Sequence, residues 1–364
     1  MARGLYIHIP FCMKKCAYCD FVSFTCGDRE GYISALCGEL DTWRGECVDS
    51  IFIGGGTPTC LDARLLERLL SYINSCFKIT SDCEWSTEAN PKTVDSEKLE
   101  ILRAGGVNRL SVGVQSFSDS ELARTGRVHN ADEAAETLEL VGRYFDNFNI
   151  DIISALPGQS IESFSNTIDR ALSFSPSHIS CYSLILEEGT PLFEENERAP
   201  LNLPDEDSER EMYALAQIKL EKAGYRQYEI SNFAKPNREC RHNLKYWHCE
   251  EYIGAGLAAH SYIGGTRIGN TTDMKSYLAG NRTEEKITLS GRDMRAEFII
   301  MALRLAEGVS TAEYTRRFGR DFAADYSAQL DKFIKLNLIE KTPAGFRLTE
   351  RGISVSNSVM CEFV

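Results

Sequence analysis

Cys12, Cys16 and Cys19 are spaced CxxxCxxC within GLYIHIPFCMKKCAYCDF (residues 4–21), directly after an apolar run. Thiolates so placed close on one metal centre only if the backbone between them loops around it. Three soft ligands are one short of a closed four-iron cluster or a structural zinc site. The incomplete shell leaves one metal corner for a small molecule. Tyr18 inside the loop and Tyr6 ahead of it put aromatic faces beside that corner. A zinc site completed by His8 or a later cysteine, and a redox pair of Cys16 and Cys19, use the same spacing.

Other chemistry-bearing residues recur further on. Gly54, Gly55 and Gly56 precede Thr57 and Pro58. Backbone without side chains can be approached closely, and its N–H groups can cradle a charged ligand. Glu88, Gln115, Arg127 and Asp151 suit a ligand with an ammonium, a carboxylate and a ribose diol. Carboxylates take the hydroxyls and the ammonium, and an arginine fork takes the carboxylate. RHNLKYWHC (residues 241–249) contains HNxxYW through His242, Asn243, Tyr246 and Trp247. An imidazole that can ligate iron beside flat aromatic area is a reasonable porphyrin surface. Cys240, His242, His248 and Cys249 also lie close together, in a spacing that fits no common zinc finger.

The elements that must position these residues follow from periodicity. Short apolar β-type runs, LYIHI, SIFIGG, CEWSTEAN, RLSVGVQSF, FNIDIISAL and HISCYSLIL, alternate with helical-period stretches up to residue 186. Strand and helix alternating with short links imply parallel strands, because a parallel pair needs a crossover. Six units predict an α/β fold, an incomplete TIM-type (β/α)6 barrel. Chemistry in such sheets sits at the C-terminal strand edge. The cysteines, GGGTP, TEANP, GVQSF and DIISALPG all follow strand ends and so point into one site. Residues 187–289 read as an α+β extension carrying HNxxYW. Residues 290–364 read helix, short helix, helix, hairpin and last helix, a winged-helix-like module.

Composition narrows the class. Apolar residues make up 43 % and charged residues 26 % of the 364, which suits a globular chain. No apolar run approaches a bilayer span and no secretory signal is visible. Thirteen cysteines, an odd number at irregular spacings outside the triad, predict a reducing, cytoplasmic setting with most thiols inert. Net charge is −13, which disfavours nucleic acid. The last module carries 11 Lys plus Arg against 10 Asp plus Glu, without the basic face of a DNA binder. A structural or docking module is the better reading.

CxxxCxxC with an aromatic before the last cysteine, together with GGGTP, TEANP, GVQSF and ALPGQ, resembles the radical S-adenosylmethionine (SAM) enzymes, specifically the oxygen-independent coproporphyrinogen III oxidase group. The likeness covers nearly the whole chain. It implies a four-iron four-sulfur cluster on Cys12, Cys16 and Cys19. It also implies SAM at the fourth iron, with Tyr6, Gly55, Glu88, Gln115, Arg127 and Asp151 around it. Tyr18, Gly56 and Thr57 would match positions that lie near a second SAM in the oxidases. The implied chemistry is reductive cleavage of the sulfonium to a 5′-deoxyadenosyl radical, a step that the cofactor carries.

The chain departs from the oxidase pattern. Oxidases resemble CxxxCxxCxC, whereas Asp20, Phe21 and Val22 follow Cys19 here, and few residues precede the first strand where oxidases carry an extension. HNxxYW is instead similar to the motif of the HemW branch, the heme chaperones. The resemblance therefore implies a protein that binds heme through His242, Asn243, Tyr246 and Trp247 and passes it to an acceptor hemoprotein, with the cluster supporting assembly or transfer. The alternatives are a coproporphyrinogen III oxidase, decarboxylating two propionates, and a heme-opening methyltransferase. The resemblance leaves room for a homodimer, and no catalytic side chain is assigned.

Overall fold

The computed structural model describes residues 2–364. The first six strands along the chain are β1 (Arg3–Ile9), β2 (Cys47–Gly55), β3 (Lys78–Ala89), β4 (Arg109–Gln115), β5 (Phe148–Ser154) and β6 (His178–Ser183). Each pairs in parallel with the next. β6 does not return to β1, so this set stays open.

Side-chain parity along these strands decides what faces where, because successive residues point to opposite faces. Leu5, Ile7 and Ile9, Leu110, Val112 and Val114, and Ile150 and Ile152 are buried in the main core. The intervening Ser111, Gly113 and Gln115, and Asn149 and Asp151, line the opposite, concave side.

The helices that cover the outer face show ordinary amphipathic logic. The Ala63–Cys76 helix buries Leu65, Leu66, Leu69, Leu70 and Ile73 and is capped by Asp62, whose carboxylate accepts from the Leu65 amide at 2.8 Å. Each buried leucine contributes about 1.5–3 kcal/mol, so the stripe outweighs the cap, worth about 1 kcal/mol. Capping boxes start the Ala131–Tyr144 and Ile161–Ser173 helices at Asn130 and Ser160.

Both edges of the sheet are extended, which the alternation of residues 5–186 did not foretell. Antiparallel β7 (Arg226–Gln227) and β8 (Asn232–Ala234) follow β6, while β9 (Tyr252–Ala255), β10 (His260–Ile263), β11 (Thr266–Asn270) and β12 (Thr283–Thr288) continue beyond β1. The result is one twelve-stranded mixed sheet. β9 pairs in parallel with β1, Leu5 opposite Ile253. These short strands owe their place to long-range pairing, a contribution that local periodicity does not carry.

The C-terminal part has its own core, built around Phe298, Tyr314, Phe322, Phe333, Phe346 and Phe363. Its helices are Gly291–Leu303, Thr311–Phe318, Phe322–Asp325 and Ser327–Lys335, followed by a hairpin, Ile339–Lys341 with Gly345–Leu348, and two short helices. That is the order of a winged-helix-like module. Backbone bonds stitch it to the extension: the Ile230 amide donates to the Arg304 carbonyl at 3.1 Å and the Ala306 amide to the Tyr228 carbonyl at 2.9 Å. Arg316 and Arg317 of the Thr311–Phe318 helix both clamp Glu313, and Arg317 stacks on Phe298, so this helix presents no spare cations to a phosphate backbone. Among the described residues no helix is long and apolar enough to cross a membrane.

Candidate functional site

The cysteine loop is pinned at its base before any ligand enters. Phe11 bridges Phe24, the Cys12 amide donates to the Phe24 carbonyl at 3.0 Å, and the Phe24 amide to the Pro10 carbonyl at 2.8 Å. Further along, the Ala17 amide reaches the Thr125 carbonyl and the Leu192 amide the Ala17 carbonyl, both at 2.9 Å. The three thiols line one cavity of about 450 Å³ at the C-terminal ends of β1 to β6. Burial pushes the Cys19 thiol up to about 11, so in the free protein it keeps its proton and metal binding would release it.

Tyr18, Gly55, Gly56, Thr57, Glu88, Gln115, Arg127 and Asp151 line the same cavity, and so does Asn243. Tyr6 lies one layer behind: its ring stacks on the cavity residue Phe52 at 6.4 Å, and its hydroxyl bonds His8 Nδ1 at 3.0 Å. The other His8 nitrogen meets the Val22 carbonyl at 2.9 Å. With both ring nitrogens engaged, His8 has none to complete a zinc shell.

The glycines act differently from the amide cradle expected of them. Gly55 N–H donates to Glu88 Oε2 at 3.0 Å, Gly56 N–H to the Ile9 carbonyl at 3.0 Å and Thr57 N–H to the Phe11 carbonyl at 2.7 Å, so these donors are spent within the fold. What glycine supplies is proximity. A Cβ on Gly56 would sit 2.7 Å from the Ile9 carbonyl oxygen and 2.8 Å from Phe11 backbone, while Gly55 adopts φ 100. The cysteine loop packs directly on β2 for this reason.

Two carboxyls, Glu88 on β3 and Asp151 on β5, line the cavity within electrostatic reach of one another. Burial first, and the neighbouring Asp151 second, push Glu88 up to about 8. Asp151 is likewise raised by burial, against bonds from Ser111 Oγ at 3.1 Å and Asn149 Nδ2 at 2.7 Å. Such a pair favours a cationic partner that restores both charges. Arg127, in the same cavity, donates to Cys16 Sγ at 3.3 Å, to Asn90 Oδ1 at 2.5 Å and to the Gly113 carbonyl, and its Nε is buried with no partner. The unmet donor beside the thiols fits a ligand carboxylate.

Asn90 escaped the sequence reading although it stands in TEANP. Its Nδ2 donates to Thr57 Oγ1 at 2.7 Å, and Thr57 Oγ1 lies 3.5 Å from Cys12 Sγ. Thr57, Asn90 and Arg127 thus form an arc of side-chain bonds from Cys12 to Cys16. Arg109 also went unnoticed. It is 2 % exposed on the cavity floor, with a partnerless Nε and one weak bond, to Ser86 Oγ at 3.4 Å. Its parity with Ser111 was the available signal. At the mouth, Phe21 is 59 % and Ile185 64 % exposed.

HNxxYW does not act as one surface. It forms the Arg241–Trp247 helix, and its residues face three ways. Asn243 looks into the cavity. His242 is 1 % exposed, with Nδ1 3.0 Å from Ser50 Oγ and Nε2 2.9 Å from the Tyr246 hydroxyl. Burial, with Lys245 nearby, pushes His242 down to about 3, so the ring is neutral. Both His242 nitrogens are thus bonded within the fold, and the ring itself lines neither the cavity nor the cleft. Tyr246 and Trp247 line a separate cleft of about 270 Å³. Cys240 is fully buried against Glu84; among the described residues no three His, Cys, Asp or Glu groups, Cys12, Cys16 and Cys19 included, lie close enough together to hold a single ion, so the triad suits only a group wider than one ion.

Comparison with known proteins agrees with this layout. Residues 6–171 match the model of the radical SAM superfamily and residues 289–355 that of the HemN C-terminal domain. The chain is 36 % identical to the heme chaperone HemW of Bacillus subtilis (strain 168), covering 100 % of this chain and 99 % of that protein. It is 35 % identical to the HemW of Escherichia coli (strain K12), covering 98 % and 97 %. Among solved structures, coproporphyrinogen III oxidase (HemN) from Escherichia coli superposes with a TM-score of 0.86 at 25 % identity, covering 100 % of this chain and 90 % of that one. Full-length likeness at this level, on a site of this construction, settles the lineage: the chain belongs to the HemW family of radical SAM proteins.

Proposed function

We propose that this protein is a heme chaperone, binding heme and handing it to an acceptor hemoprotein, and that Cys12, Cys16 and Cys19 hold a four-iron four-sulfur cluster beside a bound SAM. The observation that carries the reading is full-length similarity to HemW proteins joined to Phe21, an exposed apolar side chain where the oxidase pattern has a further thiol. The donor set suits the cofactors: three separated thiols, one open side, a carboxyl pair for the ammonium and Arg127 for the carboxylate.

When bound, the cluster and SAM supply one-electron chemistry at the sulfonium. This chain's own residues do the rest. Glu88 and Asp151 orient the cationic end, and Glu88 gives up its proton as it enters. Arg127 holds the carboxylate beside Cys16. The Thr57–Asn90–Arg127 arc keeps the sulfurs fixed. Tyr18 and Phe52 exclude water from the reactive corner. Tyr246, positioned by His242, and Trp247 offer aromatic area to the porphyrin.

The fold shared with HemN keeps one second reading, oxidative decarboxylation of coproporphyrinogen III. Anaerobic, reconstituted protein supplied either with coproporphyrinogen III or with heme and an apo-acceptor separates the two. Heme passing to the acceptor supports the chaperone; protoporphyrinogen formed at catalytic turnover refutes it.

A further inference from the structure

We infer that the cleft between the Arg241–Trp247 and Gly291–Leu303 helices carries the metalloporphyrin, with a sulfur donor, Cys249 or Met301, facing its iron. The inference rests on the chaperone reading and adds the location and the class of ligand.

The walls are aromatic and held in place. Tyr246 meets Tyr252 edge-on, at 4.6 Å and 82°, and Tyr252 lies 6.5 Å from Tyr262. His242 fixes the Tyr246 hydroxyl at 2.9 Å. On Trp247 the Arg304 guanidinium sits 4.6 Å from the ring centroid, and the buried indole N–H has no partner. Preset rings of this kind offer a flat, apolar ligand contact area with little ordering entropy left to lose.

Cys249 and Met301 open onto the same cleft. Thioether and thiolate sulfur are both established axial donors to haem iron. No imidazole lines this cleft, and His242 is committed elsewhere; Tyr246, Tyr252 and Tyr262 do line it, but burial raises all three phenols further from ionisation, which leaves sulfur as the donor that fits iron here. The two candidates differ by one proton. Ligation through Cys249 gives an electron pair to iron and sends the thiol proton to solvent, from a group that burial holds at about 11. Ligation through Met301 moves an electron pair and no proton.

Charge and size agree with a porphyrin carried for release. Arg267 is neutralised by a two-point bond to Glu297, at 3.0 and 2.7 Å. Arg304 is not: its nearest carboxylate, Glu229, lies 4.0 Å away and its Nε is unmet. It packs on the Trp247 ring that walls the cleft and opens onto the neighbouring groove, so a propionate reaching past Trp247 would meet it. At about 270 Å³ the cleft falls just below the roughly 300–1,000 Å³ of enclosing ligand pockets. It holds part of the macrocycle and leaves the remainder accessible to an acceptor.

Ferric heme titrated into the full-length, cluster-loaded protein tests this, with the Soret band and the cluster absorbance read together. Trp247→Ala weakens heme affinity about tenfold, a stacked wall being worth roughly 1.4 kcal/mol. Either Cys249→Ser or Met301→Leu shifts the Soret band, and all three variants retain the cluster. Affinity that climbs with pH assigns Cys249; a flat profile assigns Met301. Phe21→Ser, at the cavity mouth, leaves heme binding unchanged. A wild type that takes up no heme refutes the chaperone reading itself. If the wild type binds heme, unchanged affinity in Trp247→Ala, an unchanged Soret band in both sulfur variants, or loss confined to Phe21→Ser overturns the cleft assignment alone.

Discussion

The barrel cavity and the aromatic cleft share a wall, the Arg241–Trp247 helix, yet they are built by opposite means. Each cavity group arrives from the end of a different parallel strand: Cys12 after β1, Gly55 on β2, Glu88 on β3, Gln115 on β4, Asp151 on β5. Its recognition is by charge, in a pocket where desolvation makes each carboxyl expensive to ionise without a partner. The cleft draws on one short helix, β9 to β11 and a helix of the C-terminal module, and its recognition is by ring surface and sulfur. One compartment is suited to fixing a small polar cofactor, the other to carrying a flat molecule loosely.

That division can be broken by experiment. The largest effect belongs to Cys12→Ala, Cys16→Ala or Cys19→Ala. Removing one of three anchoring thiols drops iron and sulfide per chain to background, read by absorbance and metal analysis, whereas heme uptake at the cleft persists. Loss of both together would merge the two compartments.

Next comes Glu88→Gln. Because Glu88 is raised to about 8, the wild-type carboxyl is largely protonated below that pH. A cationic ligand prefers the ionised form, so SAM affinity strengthens as pH rises through about 8 and levels off above it. The amide variant binds about 10- to 100-fold more weakly at high pH, as for loss of a charge-assisted bond, and its pH profile is flat. Calorimetric titration at several pH values reads both.

Gly56→Ala places a methyl against the Ile9 and Phe11 backbone, which must shift. Overpacking of this type costs about 1–3 kcal/mol, and the displaced loop lowers cluster occupancy without touching a ligand. Thermal unfolding and iron content check it.

The smallest effect falls on His242. His242→Ala strands Ser50 and Tyr246 and destabilises by about 1–3 kcal/mol, but weakens heme only through the freed Tyr246 ring. A complete loss of heme binding in His242→Ala, with the fold intact by circular dichroism, would return the iron to the imidazole and erase the contrast drawn above.

The cavity was largely legible and the cleft was not, for a physical reason. β-strand parity and the rule that parallel sheets work at their C-terminal edge are local signals, so Glu88 and Asp151 could be placed at the cavity from strand position, whereas Arg127, in the loop beyond the Asp119–Arg124 helix, took its role from the family resemblance. Asn90 and Arg109 needed the same parity argument carried one residue or one strand further. HNxxYW was read as a linear surface, but a helix turns about 100° per residue. Asn243 is therefore turned away from His242 and faces the lumen, whereas Tyr246, one turn on, shares the His242 side, bonds it at 2.9 Å and extends past it to the cleft. Tyr262, Arg267 and Met301 join that cleft only through long-range packing, which leaves no mark on the neighbouring sequence.

The position of β1 between β2 and β9 bears on how the protein is made. At translation rates of about 5–20 residues per second, its β9 partner, residues 252–255, leaves the ribosome on the order of ten seconds or more after the strand it must flank. Until then the N-terminal strand is an unprotected edge and the thiols that follow it hang from an unfinished scaffold. The sheet edge that carries the thiols is therefore closed only once residues 252–255 have been made.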